Sequence, residues 1–400
     1  MYEQKEDLLM EENIELTENN MDTPTETNSV FDAGEVHTND SDPDIASLSP
    51  RQARKIVKQR MKTEKKARLK KRIKSILIGI VVFLILFLVG VNIFFRARVS
   101  DYYKCSERTF KIPDISKGFI PQGLDYDEFS GDFYLTGYMD DGSASPIYIV
   151  NKETEKLERK VLMANPSGSE FTEHAGGIKF YQGKLYVAGG TDSCFYVFNS
   201  SEIREAKDGD AVAYAETVPL AQAGDDIRVS FVGNDDKLIY AGEFYRKDSY
   251  PTNESHLVKT STGENRAFIV GMTLDGNVAT PQIVYSIPNE IQGMALENGC
   301  LYLTRSWGAT FSDLYVYDLS TVKQSGTHKV LGKDTPLYIL DESVEKAHLK
   351  MAPMAEEIDF AGGKMYTSCE SASDKYIFGK LYFAKRIMAT DVDEMIKLSK

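Results

Sequence analysis

GIKFYQGKLYVAGG (177–190), SFVGNDDKLIYAGE (230–243), GMALENGCLYLTRS (293–306) and EIDFAGGKMYTSCE (357–370) are copies of one pattern. Each is a short apolar strand, a polar turn containing Gly, Asn or Asp, and a second strand rich in Leu, Tyr and Val. That is hairpin chemistry. The strand anchors lie seven residues apart in all of them: Ile178 to Leu185, Phe231 to Leu238, Met294 to Leu301 and Ile358 to Met365. A further copy, GLDYDEFSGDFYLTGY (123–138), has two extra turn residues between Leu124 and Phe133.

Each hairpin is followed by a third strand: PIYIVN (146–151), CFYVFN (194–199), AFIVG (267–271), LYVYD (314–318) and RIMATD (386–391). KVLM (160–163), ETVPL (216–220), QIVYSI (282–287) and PLYIL (336–340) read as fourth strands. The anchors Leu124, Ile178, Phe231, Met294 and Ile358 recur after 54, 53, 63 and 64 residues. Four short strands per repeat of that length predict the blades of a β-propeller.

The expected fold is therefore all-β, a five-bladed β-propeller over residues 96–400. A six-bladed ring is the alternative, with a divergent blade inside the longer third or fourth repeat. The last repeat ends soon after its third strand. ERTFKIPD (107–114), ahead of the first copy, is expected to supply its outer strand, closing the ring and removing an exposed edge.

Outward from the repeats, the net charge of −13 separates into blocks. Residues 1–50 carry 14 acidic side chains and one Lys, residues 51–74 carry 13 Lys/Arg and one Glu, and residues 96–400 carry 33 Lys/Arg against 45 Asp/Glu. Between them, SILIGIVVFLILFLVGVNIFF (75–95) has no charge. Twenty-one residues in a helix rise about 31 Å, enough to cross a bilayer's hydrocarbon core. It follows a long polar tail, and RARVSDYY beyond it offers no small-x-small cleavage site, so it reads as an uncleaved signal anchor rather than a signal peptide.

The basic block before the span places the N-terminus in the cytoplasm and the propeller outside. Residues 1–50 read as a disordered acidic tail. Residues 51–74 read as a helix running into the membrane and touching anionic lipid headgroups. The acidic balance of the rest makes nucleic acid an unsuitable partner.

In a propeller the residues before each first strand, and those ending each second strand, converge on one mouth of the central channel. This predicts a ligand site built from Gln122, His174, Arg228, Glu243, Gln292, Arg305, Glu357, Glu370 and Lys375. Of the adjacent Glu356 and Glu357 only one can face the channel. Glu357 is the expected one, because it stands where the other copies have Gly123, Gly177 and Gly293. Those glycines themselves read as packing residues at a crowded axis.

For acid–base work the candidates are His174, Arg305, Glu357 and Glu370. For a central Ca²⁺ they are Ser230, Glu243, Glu357 and Glu370, since a hard cation needs several oxygens. ESASDKY (370–376) gathers a carboxylate, hydroxyls and Lys375 in one loop. No EF-hand loop, P-loop, H-E-x-x-H, G-x-S-x-G or C-x-x-C is present. Cys105, Cys194, Cys300 and Cys369 allow one or two disulfides if the domain is extracytoplasmic, or buried free thiols.

IPQGLDY (120–126), running into DFYLTGYMDDGSASPIYIVNKETEKL (132–157), resembles the glutamine cyclotransferases, which implies a five-bladed propeller. The carry-over is confined to Gln122. The family's catalytic Glu motif falls on HAGG (174–177), which has no Glu, and where that family lines its pocket with several Trp, this chain has Trp307 alone. The architecture is also similar to gluconolactonase-like and calcium apyrase-like propellers. The functional expectation is a membrane-anchored propeller that binds a small polar ligand, a glycan or a protein at its channel mouth. The alternative is a propeller hydrolase or lyase, Ca-dependent or not, using Glu and His at that mouth.

Overall fold

The computed structural model describes residues 48–382 and 384–399. The expected acidic tail falls almost wholly outside them. The chain divides into two units, with the boundary between Ile78 and Gly79, inside one long helix.

That helix spans Pro50–Arg98 and joins the basic segment to the apolar run. At its start the Gln52 side-chain oxygen accepts from both the Ser49 amide, at 3.3 Å, and the Ser49 hydroxyl, at 2.6 Å, and Pro50 occupies the first helical position, where a missing N–H costs nothing. Its apolar window has a mean hydropathy of 3.1 and is not buried inside the protein, as a membrane-crossing helix requires.

The second unit carries five blades. Blade 1 is built from Phe119–Asp127, Asp132–Met139, Pro146–Asn151 and Leu157–Ala164. Blade 2 uses Ile178–Tyr181, Lys184–Ala188, Cys194–Asn199 and Glu216–Pro219. Blade 3 uses Val229–Asn234, Ile239–Glu243, Ala267–Asp275 and Val278–Ile287, and blade 4 uses Ile291–Glu297, Cys300–Arg305, Ser312–Asp318 and Glu345–Met351. Blade 5 combines Ala355–Ala361, Lys364–Cys369 and Arg386–Thr390 with Ser106–Lys111 from the start of the domain, paired antiparallel with Ser106 opposite Thr390. The expected closure by both ends of the domain is present.

The short hairpins follow from local chemistry. Gln182–Gly183, Asn298–Gly299 and Gly362–Gly363 hold positive φ at both central positions, the type I′ geometry whose twist matches the flanking strands.

Two readings of the repeats are corrected. PLYIL is not the outer strand of blade 4. Lys333–Ile339 runs parallel to Val278–Ile287 and extends blade 3, together with Gln324–Val330. Leu337 there joins a core with Val284, Val330 and Leu331. The outer strand of blade 4 is EKAHLKM, whose alternating exposure turns Leu349 and Met351 inward while Lys346, His348 and Lys350 face outward. The extra length of the fourth repeat is thus a hairpin on blade 3, and the ring has five blades, not six.

Around the axis the inner strands are joined by charge. Lys179 of blade 2 lies 2.7 Å from Asp125 of blade 1 and 2.8 Å from Asp359 of blade 5. The second oxygen of Asp125 accepts from the Phe180 amide and that of Asp359 from the Tyr126 amide, each at 2.7 Å. Burial, reinforced by Asp359, raises Asp125 to about 7, since one ammonium cannot balance two enclosed carboxylates. The glycines before the inner strands are there because neighbours leave no room: a Cβ on Gly177 would lie 2.6 Å from the Val232 amide, and one on Gly293 2.6 Å from the Cα of Glu357.

Lys179→Met leaves both carboxylates enclosed without a counter-charge. It is expected to cost about 3–5 kcal/mol of stability, read as a lower thermal midpoint, with Asp125→Asn in the same chain recovering part of the loss. An unchanged midpoint would show that the ring does not depend on this contact.

Candidate binding site at the channel mouth

The mouth side chains are aimed by bulges. The ladder between inner and second strands slips between Pro121 and Leu124, Val229 and Phe231, Ile291 and Gly293, and Ala355 and Ile358. The residues inside those slips include Gln122, Ser230, Gln292 and Glu356. A bulge re-aims a side chain that a regular strand would send to one face. These four line one cavity of about 960 Å³, together with His174, Arg228, Glu370, Lys375 and Tyr376.

At its floor the carboxyls of Glu356 and Glu370 come together, each shifting the other's titration. Tyr376 donates to Glu370 Oε2 at 2.8 Å and Gln122 Nε2 donates to the same oxygen at 3.2 Å. Gln292 approaches Glu356 Oε1 at 3.5 Å. Burial and then the charge of Glu370 push Glu356 well above the usual carboxylate range. Burial lifts Glu370 to about 7 against the pull of Tyr376, Lys375 and Gln122. Two carboxyls this close and this enclosed hold one proton between them, with Glu356 the protonated partner.

On one wall, His174 stacks on Tyr138 with ring centroids 4.3 Å apart, and Lys375 Nζ donates to Tyr138 Oη at 2.6 Å. Desolvation by the surrounding wall and the Lys375 charge hold His174 below its ordinary value, so it is neutral at pH 7. Arg228 reaches Asp226 at 3.2 Å and the Pro251 carbonyl at 2.9 Å. Another part of the wall is aromatic. Phe244, Tyr250 and Trp307 contact one another edge-on or tilted, and the Arg246 guanidinium lies 4.0 Å from the Trp307 ring centre.

Three expected site residues are elsewhere. Glu243 is fully buried and bonds His256 Nδ1 at 2.8 Å, while His256 Nε2 reaches Asp225 at 2.9 Å. It also accepts from the Phe268 amide, so it braces blade 3 rather than facing a ligand. Arg305 pairs with Glu290 at 2.8 Å and is not in the cavity lining. Glu357 points into the seam between blades 4 and 5 and accepts from the Met294 amide at 2.8 Å. The alternation argument holds, but the bulge gives the mouth to Glu356.

The proposed Ca²⁺ ligands are consequently dispersed. Glu243 is bound up with His256, Glu357 with the blade seam and Glu370 with Glu356, and only Ser230 and Glu370 line the cavity. Among the described residues no group of three or more His, Cys, Asp or Glu is gathered to hold a metal ion. All four cysteines are free thiols, and burial pushes Cys194 up to about 11.

Strand patterning alone missed Glu356, Tyr376 and the aromatic wall. Tyr376 closes the ESASDKY loop, so that loop's polar density was the usable signal. Tyr250 sits in an irregular segment and carried none.

The class defined by these features is a five-bladed β-propeller with a polar-floored, aromatic-walled cavity at one mouth. No family model matches the chain and no curated protein matches it. Among solved structures it is similar to glutaminyl cyclase of Myxococcus xanthus, at 12% identity over 66% of this chain and 90% of that one, TM-score 0.33. It is also similar to hydrazine synthase of Kuenenia stuttgartiensis (9%, 63% and 74%, TM-score 0.32) and to a nidogen/laminin complex (8%, 63% and 73%, TM-score 0.36). The blade count stands on the sheet topology itself.

The titrations separate by pH. Glu370 is raised from an ordinary 4.5 to about 7, so its contribution to stability is complete below 4.5 and is lost as pH climbs to 7. His256 is raised from 6.5 to about 9 by Glu243 and Asp225, so its contribution is complete below 6.5 and is lost towards 9. Relative to wild type, Glu370→Gln is expected to flatten the fall of the melting midpoint between pH 4.5 and 7, by the equivalent of about 3 kcal/mol. His256→Gln should flatten only the higher window. Identical pH profiles for all three proteins would refute both assignments.

Proposed function

We propose that this chain is a single-pass, membrane-anchored propeller with a cytoplasmic N-terminus. Its extracytoplasmic mouth captures a small polar ligand, a glycan or a polar protein segment. The observation that carries the reading is the proton-sharing pair Glu356–Glu370 at the floor of a cavity of about 960 Å³. An ammonium group or a cluster of hydroxyls in the ligand replaces the shared proton and satisfies both carboxyls, with Gln122, Gln292 and Tyr376 completing the polar contacts. The flat wall of Trp307, Tyr250 and Phe244 suits the apolar face of a ring. The charge contrast across the apolar helix supports the orientation, and the basic segment 51–74 suits contact with anionic headgroups.

A second reading is favoured by Glu370 itself. A carboxylate near pH 7 beside a protonated neighbour is poised for general acid–base chemistry, so a hydrolase or lyase would use Glu370 as base and Glu356 as acid. His174, neutral at the wall, is the remaining proton carrier. Arg305 and Glu357 drop out of that role because neither lines the cavity.

The test is a thermal-shift and calorimetry screen of the full chain in nanodiscs against polyamines, amino sugars and neutral oligosaccharides. Any binder is expected to weaken at least tenfold with Glu370→Gln, since a lost charged hydrogen bond is worth about 1.5–3 kcal/mol, and to weaken also with Trp307→Ala. Binders indifferent to both substitutions would place the site elsewhere. Protease added to intact cells should digest the propeller and spare the tail; the reverse pattern would invert the topology.

A further inference from the structure

The loops that rim the cavity are also the loops that touch the end of the apolar helix. Phe95 closes the charge-free run, just before Arg96 and Arg98. Its ring lies 5.3 Å from that of Phe311 and 4.7 Å from that of Tyr382. Phe311 is two residues beyond Ala309, and Tyr382 is three beyond Gly379; Ala309 and Gly379 both line the cavity. A chain advances at most about 3.5 Å per residue, so the rim lies within about 10 Å of the residues that grip the helix end.

The segment between is unusually apolar for a surface loop. Ile377 is 75% exposed and Phe378 72% exposed, and both line the mouth. They are held outward by construction. Gly379 passes so close to Ser371 that a Cβ there would lie 2.2 Å from its carbonyl oxygen, which pins the loop's base and leaves its tip protruding. Trp307 stands on the second of these loops, 38% exposed. Aromatic and aliphatic side chains at the end of a spanning helix belong to the interfacial layer of a bilayer.

We propose that the channel mouth faces the bilayer, with Ile377 and Phe378 seated in its interfacial layer, so that the cavity receives the polar headgroup of a membrane lipid. This rests on the membrane-anchor reading above, and it deepens the choice of ligand. The acyl chains stay in the bilayer while the headgroup alone reaches Glu356 and Glu370. An amine-bearing headgroup meets the requirement of the carboxyl pair, and the apolar rim seals the path between membrane and cavity from water.

Trp307 is the only tryptophan in the chain, so it reports on the mouth by itself. The full chain is placed in nanodiscs of phosphatidylethanolamine and phosphatidylglycerol carrying a spin label at the headgroup or at a shallow acyl position. Trp307 emission is expected to be quenched several-fold more than that of a Trp307→Phe, Phe129→Trp variant. Phe129 is 84% exposed on the turn between the first two strands of blade 1, at the opposite face of the ring.

Ile377→Ser with Phe378→Ser should reduce the Trp307 quenching and leave the melting midpoint unchanged, because both side chains are exposed. Equal quenching at positions 307 and 129 in an incorporated chain overturns the proposal and leaves the anchor intact. Failure of the chain to incorporate overturns the anchor and the proposal together. Strong quenching of Trp307 with no effect of Glu370→Gln on the binding of phosphoethanolamine, the free headgroup, retains the membrane-facing mouth but overturns the headgroup assignment.

Discussion

One ammonium group holds the ring's centre. Lys179 of blade 2 reaches a carboxylate on blade 1 beside it and another on blade 5 beyond, and each of those carboxylates also accepts a backbone amide from the next inner strand. Blades 5, 1 and 2 are thereby fixed in rotation about the axis as well as in distance. Apolar packing between sheets is not directional, and alone it would allow the blades to slide. The charged contact, enclosed and geometrically specific, sets the phase of the ring and so decides which side chains face each other at the mouth.

That phase is what makes the bulges useful. Four of the five inner strands begin with an irregular step, and the side chain freed by it is Gln122, Ser230, Gln292 or Glu356. Because the blades are locked, these side chains converge, and Glu356 meets Glu370 from the adjacent second strand. The pair's shared proton is a product of enclosure: in water both groups would be ionised and apart. Gln122, Gln292 and Glu356 of the floor come from strand starts, whereas Glu370 and Tyr376 of the floor and the aromatic wall come from the connections after second strands.

The repeats were legible because a hairpin writes itself locally. Seven-residue anchor spacing survives in every short copy and a positive-φ turn pair in three of the four, and with them came the blade count and the closing strand. PLYIL was misplaced because an apolar strand fits the edge of any blade, while the true outer strand EKAHLKM hides its inward residues among lysines. Glu357 was favoured over Glu356 because a regular pleat was assumed where the strand is bulged. Glu243 and Arg305 end second strands as expected, but each has a closer counter-charge than any ligand: His256 for one and Glu290 for the other. Local patterns carry strand identity; they do not carry which long-range partner wins a charged side chain.

Only seven residues separate the end of the long helix from the closing strand Ser106–Lys111, and its partner Arg386–Thr390 comes some 280 residues later in the chain. The seam that completes the ring is therefore the one next to the long helix in the chain, and it forms last. During synthesis four blades assemble while the first strand waits, unpaired, beside the long helix. In the finished protein the same geometry makes this seam the mechanical fuse. A pull on the long helix loads the Ser106–Thr390 ladder before any other, so the ring would open at that seam, leaving the remaining blades joined.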